Sequence, residues 1–187
     1  LFTRYNTFLT LAEIQKLILW IPNYNGEFDD PSNYNYIEPY FPKGTSLQKI
    51  LEKVFNFPLE HPSIDHESNT ITMDLWSGRQ LLSLIIPKIK MTKKNSQYGN
   101  VPDKEKFKNI IKIDNDRYKD GVMDKNILGN KSQGIIHIIN NDLGYREAQN
   151  FLDNIQNIIT NWMITYGFSV GISDLIANET AQKNMKE

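Results

Sequence analysis

The sequence contains no cysteine. A disulfide framework and a thiolate zinc site are therefore both excluded. No apolar run reaches membrane-spanning length, and the first residues lack the pattern of a secretory signal. The expectation is an intracellular protein with no membrane partner. Charge of one sign is missing too. Lys and Arg number 21 against 22 Asp and Glu, a net charge of −1, which argues against a free-standing nucleic-acid binder working through bulk charge. There is no internal repeat, no low-complexity tract, no G-x-G-x-x-G and no Walker loop.

What is present is ordinary globular material. The 187 residues are 40% hydrophobic and 23% charged, enough for one domain with a sizeable core. The chain opens on Leu1 and closes in charged helical sequence, so it is expected to be a piece of something longer.

The most organised stretch is residues 145–174. Ala148, Phe151, Leu152, Ile155, Ile158, Ile159, Trp162 and Met163 recur at helical spacing, and Glu147, Asn150, Asp153, Asn154, Asn157 and Asn161 fill the other face. Gly144 precedes this helix. Gly167 follows it at the position where a left-handed cap is usually glycine. A compact element with Ser169, Gly171, Ser173 and Asp174 comes next, offering N-caps for another helix.

Three capping boxes are expected upstream: Thr10 with Glu13, Thr45 with Gln48, and Ser77 with Gln80. Leu11, Ile14, Leu17, Ile18 and Ile21 form the stripe of the first helix, which Pro22 stops. Residues 23–40 read as loop. A second helix follows, with Leu47, Ile50, Leu51, Val54 and Phe55 on its buried face. Residues 71–74 read as a short strand. Trp76 and Leu81 occupy staple positions around the Ser77 cap, at the start of a helix over 79–86 that Pro87 ends. Residues 88–106 read as a polar, mobile stretch. A strand is expected over 109–113, and Asp120-Gly121 as a turn into a second strand through Met123. Residues 134–141 carry both strand and helix signals, with Ser132 as a helix cap.

Several clusters could carry chemistry. Asp114, Asp116, Tyr118, Asp120 and Gly121 have a superficial calcium-loop spacing but fail it, because the twelfth position is Lys125; they read as a solvated hairpin. Glu27, Asp29 and Asp30 read as a charged loop. His61, Asp65 and His66 could hold a divalent ion or form an exposed polar loop, and a third convincing ligand is missing. His137 reads as a packed, hydrogen-bonded histidine on an isoleucine-rich face, since no nucleophile accompanies it. Lys88, Lys90, Lys93 and Lys94 form the one basic run, facing either solvent or an anion.

The tail Gly167-Phe168-Ser169-x-Gly171-Ile172-x-Asp174, with its helix, resembles the pore region of the largest subunit of multisubunit DNA-directed RNA polymerases, at the start of the funnel. Leu75-Trp76-Ser77-Gly78-Arg79-Gln80 is similar to that family's L-W-[ST]-G-[KR]-Q, and Ile85-Ile86-Pro87 to the I-P that follows. Gly121-Val122-x-x-Lys125-x-x-Leu128-Gly129 is similar to G-V-x-x-K-x-x-[LV]-G, and Gly134-Ile135-Ile136-His137 to G-[LI]-[IL]-H. Trp20-Ile21-Pro22 and Gly26 resemble the opening of the domain. The motifs keep the family's order over most of the chain. Arg4-Tyr5-Asn6-Thr7-Phe8 departs from the family's R-D-T-F, with Asn6 at the Asp position and a changed spacing at Arg4, which puts any specific contact of that Arg in doubt.

The resemblance implies an α+β fold: a helix-rich pore-type domain over residues 1–166 with a small β-hairpin or sheet and an insertion at 31–70, where the chain is long beside the family's pattern, then the start of a helical funnel region over 167–187. It tips residues 134–141 to helix. It implies a transcription role within a nucleotidyltransferase, in which this segment shapes the pore that admits nucleotides. Implied partners are other polymerase subunits, template DNA and RNA through the full complex, and nucleotides and a transcript-cleavage factor through the pore. The implied location is the nucleus, or the cytoplasm for a viral or prokaryotic polymerase. The family's metal-holding N-A-D-F-D-G-D loop is absent, so no catalytic, cofactor or metal residue is expected here, while Mg2+ is expected in the full active centre. The motif residues Trp76, Gly78, Arg79, Gln80, Gly121, Lys125, Gly129, Gly134, His137, Gly167, Ser169, Gly171 and Asp174 are expected to be structural or channel-lining. Arg79 and Lys125 could each line a channel or make a structural ion pair. Two other readings stay open: a stand-alone α+β interaction module unrelated to transcription, and a separately encoded piece of a split subunit.

Overall fold

A computed structural model describes residues 1–22, 24, 37–54, 57, 61–100, 102–129, 131–167 and 169. The chain opens with strand β1 (Phe8–Thr10), which runs straight into helix α1 (Leu11–Ile18). The turn from one to the other is made by the expected capping box. Glu13 N–H donates to Thr10 Oγ1 at 3.4 Å, and Thr10 N–H donates back to Glu13 Oε2 at 2.8 Å. Two donors that a helix start leaves unpaired are thereby satisfied.

Helix α2 (Leu47–Lys53) follows. Its cap is Ser46 rather than Thr45: Ser46 Oγ accepts from Lys49 N–H, and the Thr45 hydroxyl donates to the Pro42 carbonyl. The box with Gln48 does not form, because the helix starts one residue later and Gln48 turns to Glu52. Strand β2 (Ile64–Asp65) pairs antiparallel with β3 (Thr70–Ile71). The expected strand over 71–74 is displaced: β3 ends at Ile71, and strand β4 (Leu75–Ser77) begins anew and pairs antiparallel with β1, Leu9 opposite Trp76.

Helix α3 (Gly78–Ser83) starts on the Ser77–Gln80 capping box, as expected. It is shorter than expected. Leu84 and Ile85 N–H bond three residues back, to Leu81 and Leu82, so the chain tightens before Pro87. Trp76 and Leu81, the staple pair, are both buried.

The largest correction falls on residues 88–106. Instead of a mobile stretch, they begin with strand β5 (Ile89–Lys94), edge of a three-stranded antiparallel sheet with β6 (Ile110–Asn115) and β7 (Arg117–Asp120). Ile89 and Met91 point inward with Ile111, Ile113 and Tyr118, while Lys90, Thr92 and Lys94 face out. Two apolar residues among lysines make a faint period-2 signal, and it is the six-residue ladder to β6 that stabilises the strand. The hairpin turn sits at Asn115-Asp116, with Asn115 at φ 60°, rather than at Asp120-Gly121. Asn has the short polar side chain that tolerates this conformation.

Helices α4 (Lys125–Leu128), α5 (Ile135–Leu143) and α6 (Tyr145–Tyr166) complete the described chain. The sequence reading did not include α4. Residues 134–141 are helical, with Gly134 rather than Ser132 at the N-cap position. Ala148, Phe151, Ile155, Ile158 and Trp162 carry α6 into the core at helical spacing, and Gly167 ends it at φ 66°.

Two hydrophobic clusters result. The larger joins α1, α3, α4, α5, α6 and the inner face of the three-stranded sheet. The smaller joins Phe8, Phe41, Ile50, Val54, Phe57, Ile71 and Leu75, and packs the β2–β3 hairpin and α2 against β1 and β4. The fold is α+β, as expected. No described helix is long and apolar enough to cross a membrane.

Gly78 has no room for a side chain, because a Cβ there would collide with the Phe2 backbone carbonyl. Replacing Ser77 by Ala removes only one half of a capping box, which costs about 1 kcal/mol. Gly78→Ala must displace backbone and is expected to cost about 3 kcal/mol or more. Urea unfolding of the two variants should rank them in that order.

Candidate functional site: the junction of the motif segments

Residues 1–10 thread through the segments singled out by motif. The Phe2 carbonyl lies against Gly78, and the Phe2 ring meets Trp162 edge-on at 5.1 Å between centroids. Thr3 Oγ1 accepts from Met123 N–H at 3.1 Å. The Tyr5 hydroxyl donates to Asp120 Oδ1 and accepts from Gly121 N–H. The Arg79 guanidinium sits 3.8 Å from the Tyr5 ring centroid.

Arg79 is only 5% exposed and makes no side-chain ion pair among the described residues. Among the described residues its Nη1 finds no hydrogen-bond acceptor. Its charge is met instead by the negative face of the Tyr5 ring, an arrangement that gains strength when desolvated. Tyr5 in turn is held by Asp120. Burial, and then the hydrogen bond to Asp120, push the Tyr5 phenol well above its ordinary pKa. Tyr118 lies in the same region, its N–H donating to Ser83 Oγ and its hydroxyl to the Gly121 carbonyl. Burial raises its phenol as well. Gly121 stands at φ 92°, and a Cβ there would lie 2.5 Å from the Ile110 carbonyl, so both the turn and the close approach require glycine.

The other motif residues are distributed around this junction. Trp76 is buried, its Nε1 donating to the Ile37 carbonyl at 2.9 Å, and Gln80 Nε2 donates to the Glu38 carbonyl at 2.7 Å. Gly129 and Gly134 pack against backbone, at Lys125 and at Ile127 respectively. Lys125 is exposed at the start of α4. His137 is exposed rather than packed. Helical spacing turns Ile135 and Ile139 to the core and His137 away, where its nitrogens meet Gln133 N–H and Asn141 Nδ2. Gly167 and Ser169 line an open cavity of about 430 Å³ with Arg4, Asn6, Thr7 and Tyr166. Gly171 and Asp174 lie outside the described residues, as do the loop carboxylates Glu27, Asp29 and Asp30.

The basic run is split by strand geometry. Lys90 and Lys94 face out, with Lys94 Nζ 4.2 Å from the Tyr98 ring centroid. Lys93 points inward and donates to the carbonyls of Asn126 and Ser132, clamping the segment between α4 and α5. His61 Nδ1 lies 2.7 Å from Ser63 Oγ, and Asp65 accepts from Glu67 N–H and Ser68 Oγ. Asp114 pairs with Lys119 at 2.6 Å, and that ammonium holds its carboxyl below the usual range. Among the described residues, no group of three or more His, Cys, Asp or Glu side chains could hold a metal ion.

The sequence reading did not single out Phe2, Thr3 or Asp120 for the junction, and took Tyr5 only as part of a variant motif. Phe2, Thr3 and Tyr5 each have a partner more than a hundred residues away, so no periodicity could reveal them. The arrangement brings together a buried cation, an aromatic ring and a carboxylate.

The pattern of the family described as "RNA polymerase Rpb1, domain 3" matches residues 1–175. Two curated relatives from Trypanosoma brucei brucei, DNA-directed RNA polymerase II subunits RPB1-A and RPB1-B, are each 27% identical to the chain over 113 residues. That stretch is 60% of this chain and 6% of either relative, so the chain spans a small part of the length of the proteins it matches.

Two predictions test this geometry. Tyr5→Phe keeps the ring over Arg79 but loses the hydroxyl contacts, at a cost of about 1–2 kcal/mol. Tyr5→Leu also removes the ring, and a double-mutant cycle with Arg79→Met should return a coupling of about 1–2 kcal/mol. Separately, burial lowers the His61 pKa below its ordinary 6.5. The unfolded chain then takes up the proton first, so stability is full above about pH 6.5 and falls as pH drops from there toward the folded pKa. Thermal melts across this range should show the slope, and His61→Gln should flatten it.

Proposed function

The chain belongs to the RNA polymerase Rpb1, domain 3 family, and from that membership we propose that it shapes the pore through which nucleotides reach the active centre of a DNA-directed RNA polymerase. The reading of a stand-alone interaction module unrelated to transcription falls with the family match over residues 1–175. The observation that best supports the proposal is the junction itself. Backbone contacts at Gly78 and Gly121 and the Arg79–Tyr5–Asp120 chain fix three distant segments in one rigid unit. A wall needs that rigidity, and it needs no reactive group of its own.

In this reading the chemistry is nucleotidyl transfer by the full subunit, with Mg2+ held elsewhere. The described residues do not fit a metal, so no step runs through one here. Residues 1–166 act as the pore-type domain, with 31–70 as an insertion whose small apolar cluster leans on β1 and β4. Residues 167–187 begin the funnel. Exposed Lys125 and the cavity around Arg4, Gly167 and Ser169 are the positions proposed to face the channel. Buried Arg79 and Trp76 are proposed to be structural. Partners are the remaining polymerase subunits, template DNA and RNA through the complex, and a transcript-cleavage factor using the same opening. The location is the nucleus for a polymerase of the RPB1 type, or the cytoplasm for a viral or prokaryotic one.

The test is steady-state elongation by the assembled polymerase carrying Lys125→Glu. Reversing one partly screened charge at the channel should raise the nucleotide KM about threefold with kcat near wild type. An unchanged KM would remove Lys125 from the channel. Unchanged KM values for Lys125→Glu and Arg4→Glu together would count against the pore role.

A further inference from the structure

Positive charge is unevenly placed along the chain. Residues 88–119 hold ten Lys and Arg against four Asp and Glu, a net charge of +6, while the whole chain stands at −1. That excess belongs to one body, the three-stranded sheet and the segment joining β5 to β6. Strand alternation sorts it by face. Ile89, Met91, Ile111 and Ile113 are buried, and Lys90, Lys94 and Lys112 stand exposed on the opposite face. Lys112 lies opposite Thr92, midway between Lys90 and Lys94 on the neighbouring strand. The three lysines therefore follow one another along the strand direction, each two residues or about 6.6 Å beyond the last.

The carboxylates of this region are matched by other partners. Asp114 pairs with Lys119, Asp116 with Arg117 and Asp103 with Lys106. Asp120, across from Lys112, is taken by the Tyr5 hydroxyl and the Gly121 N–H. Among the described residues, Lys94 and Lys112 meet no carboxylate at ion-pair distance, and Lys90 feels only Asp114, which Lys119 already holds. Aromatic rings border the row. Lys94 Nζ lies 4.2 Å and Lys106 Nζ 5.7 Å from the Tyr98 ring centroid. Phe107 is 48% exposed, with Lys108 Nζ 5.7 Å from its ring centroid.

We propose that this face binds single-stranded RNA, the transcript of the polymerase itself, through its phosphates. A single file of cations at even steps tracks the phosphates of one strand, whereas a duplex offers two. Bases on such a strand come within reach of Tyr98 and Phe107, and stacking on a ring is tolerant of sequence. An acidic peptide would gain from the lysines but not from the rings. Of the nucleic acids in transcription, the transcript is the one that stays single-stranded after leaving its complement. The proposal rests on family membership and needs no part of the pore reading.

The experiment uses assembled polymerase carrying the full subunit, halted on DNA with a transcript that contains 4-thiouridine. Irradiation and mass spectrometry should find the transcript joined to peptides within residues 88–119. Lys90→Gln, Lys94→Gln and Lys112→Gln together leave the buried face of the sheet untouched. They should cut that yield about tenfold and lower its log–log salt slope by about 2, the loss expected for three single-strand phosphate contacts. A transcript that never joins 88–119, a yield unchanged in the triple variant, or joining by labelled DNA in its place would each overturn the proposal. So would another protein covering the face, read as crosslinks from a photoreactive residue placed at exposed Thr92. Nucleotide KM with Lys125→Glu is read in a separate assay, so failure of the pore role and failure of this surface are distinguishable.

Discussion

The first ten residues pass so close to Gly78 that no side chain fits between, and Gly121 is crowded in turn by the neighbouring strand. At Gly78 the obstacle is the Phe2 carbonyl; at Gly121 the Ile110 backbone crowds the same corner while Tyr5 accepts the Gly121 N–H. Close backbone approach does more here than join elements. It brings Tyr5 over Arg79 and within reach of Asp120, so a buried cation meets a half-buried ring and carboxylate at one corner. A buried guanidinium without an ion pair is costly unless something meets its charge. The Tyr5 face does so, and Asp120 holds the ring in place. Strand β7, helix α3 and the opening segment therefore depend on one another.

Around this corner the two hydrophobic clusters divide the work. The larger fixes α6 against the sheet and the other helices, and carries most of the apolar burial. The smaller ties the β2–β3 hairpin and α2 to β1 and β4 through Phe8 and Leu75. Phe8 meets Phe41 and Phe57 at centroid separations of 5.3 Å, tilted pairs within the range that aromatic contacts favour. Because β1 continues into α1 without a loop, the small cluster and the large one are mechanically continuous.

Many polar side chains are committed to holding this packing. Its polar residues are spent on structure: Lys93 clamps carbonyls, Ser83 holds the edge of β7, and Gln80 reaches Glu38. What remains outward is a lysine-bearing sheet face, an exposed His137 and an apolar groove beside Trp20.

The sequence by itself determined whatever depends on neighbours three or four residues apart. The Thr10–Glu13 and Ser77–Gln80 boxes, the long α6 stripe and its glycine end were all legible, because a helix satisfies its backbone locally. Strand β5 was not, since two apolar residues among lysines look like a solvated loop until β6 supplies the ladder. The hairpin turn fell at Asn115 rather than Gly121 because register with β5 and β6, not glycine content, decides where a strand reverses. The fate of each charged motif residue was equally hidden. Arg79 went inside and Lys125 stayed out, a difference set by Tyr5 and by the face of a helix rather than by residue type. Tertiary structure alone brought Tyr5 to Asp120 across 115 residues. Chain entropy opposes such a contact, and only the packed core around it makes the contact stable.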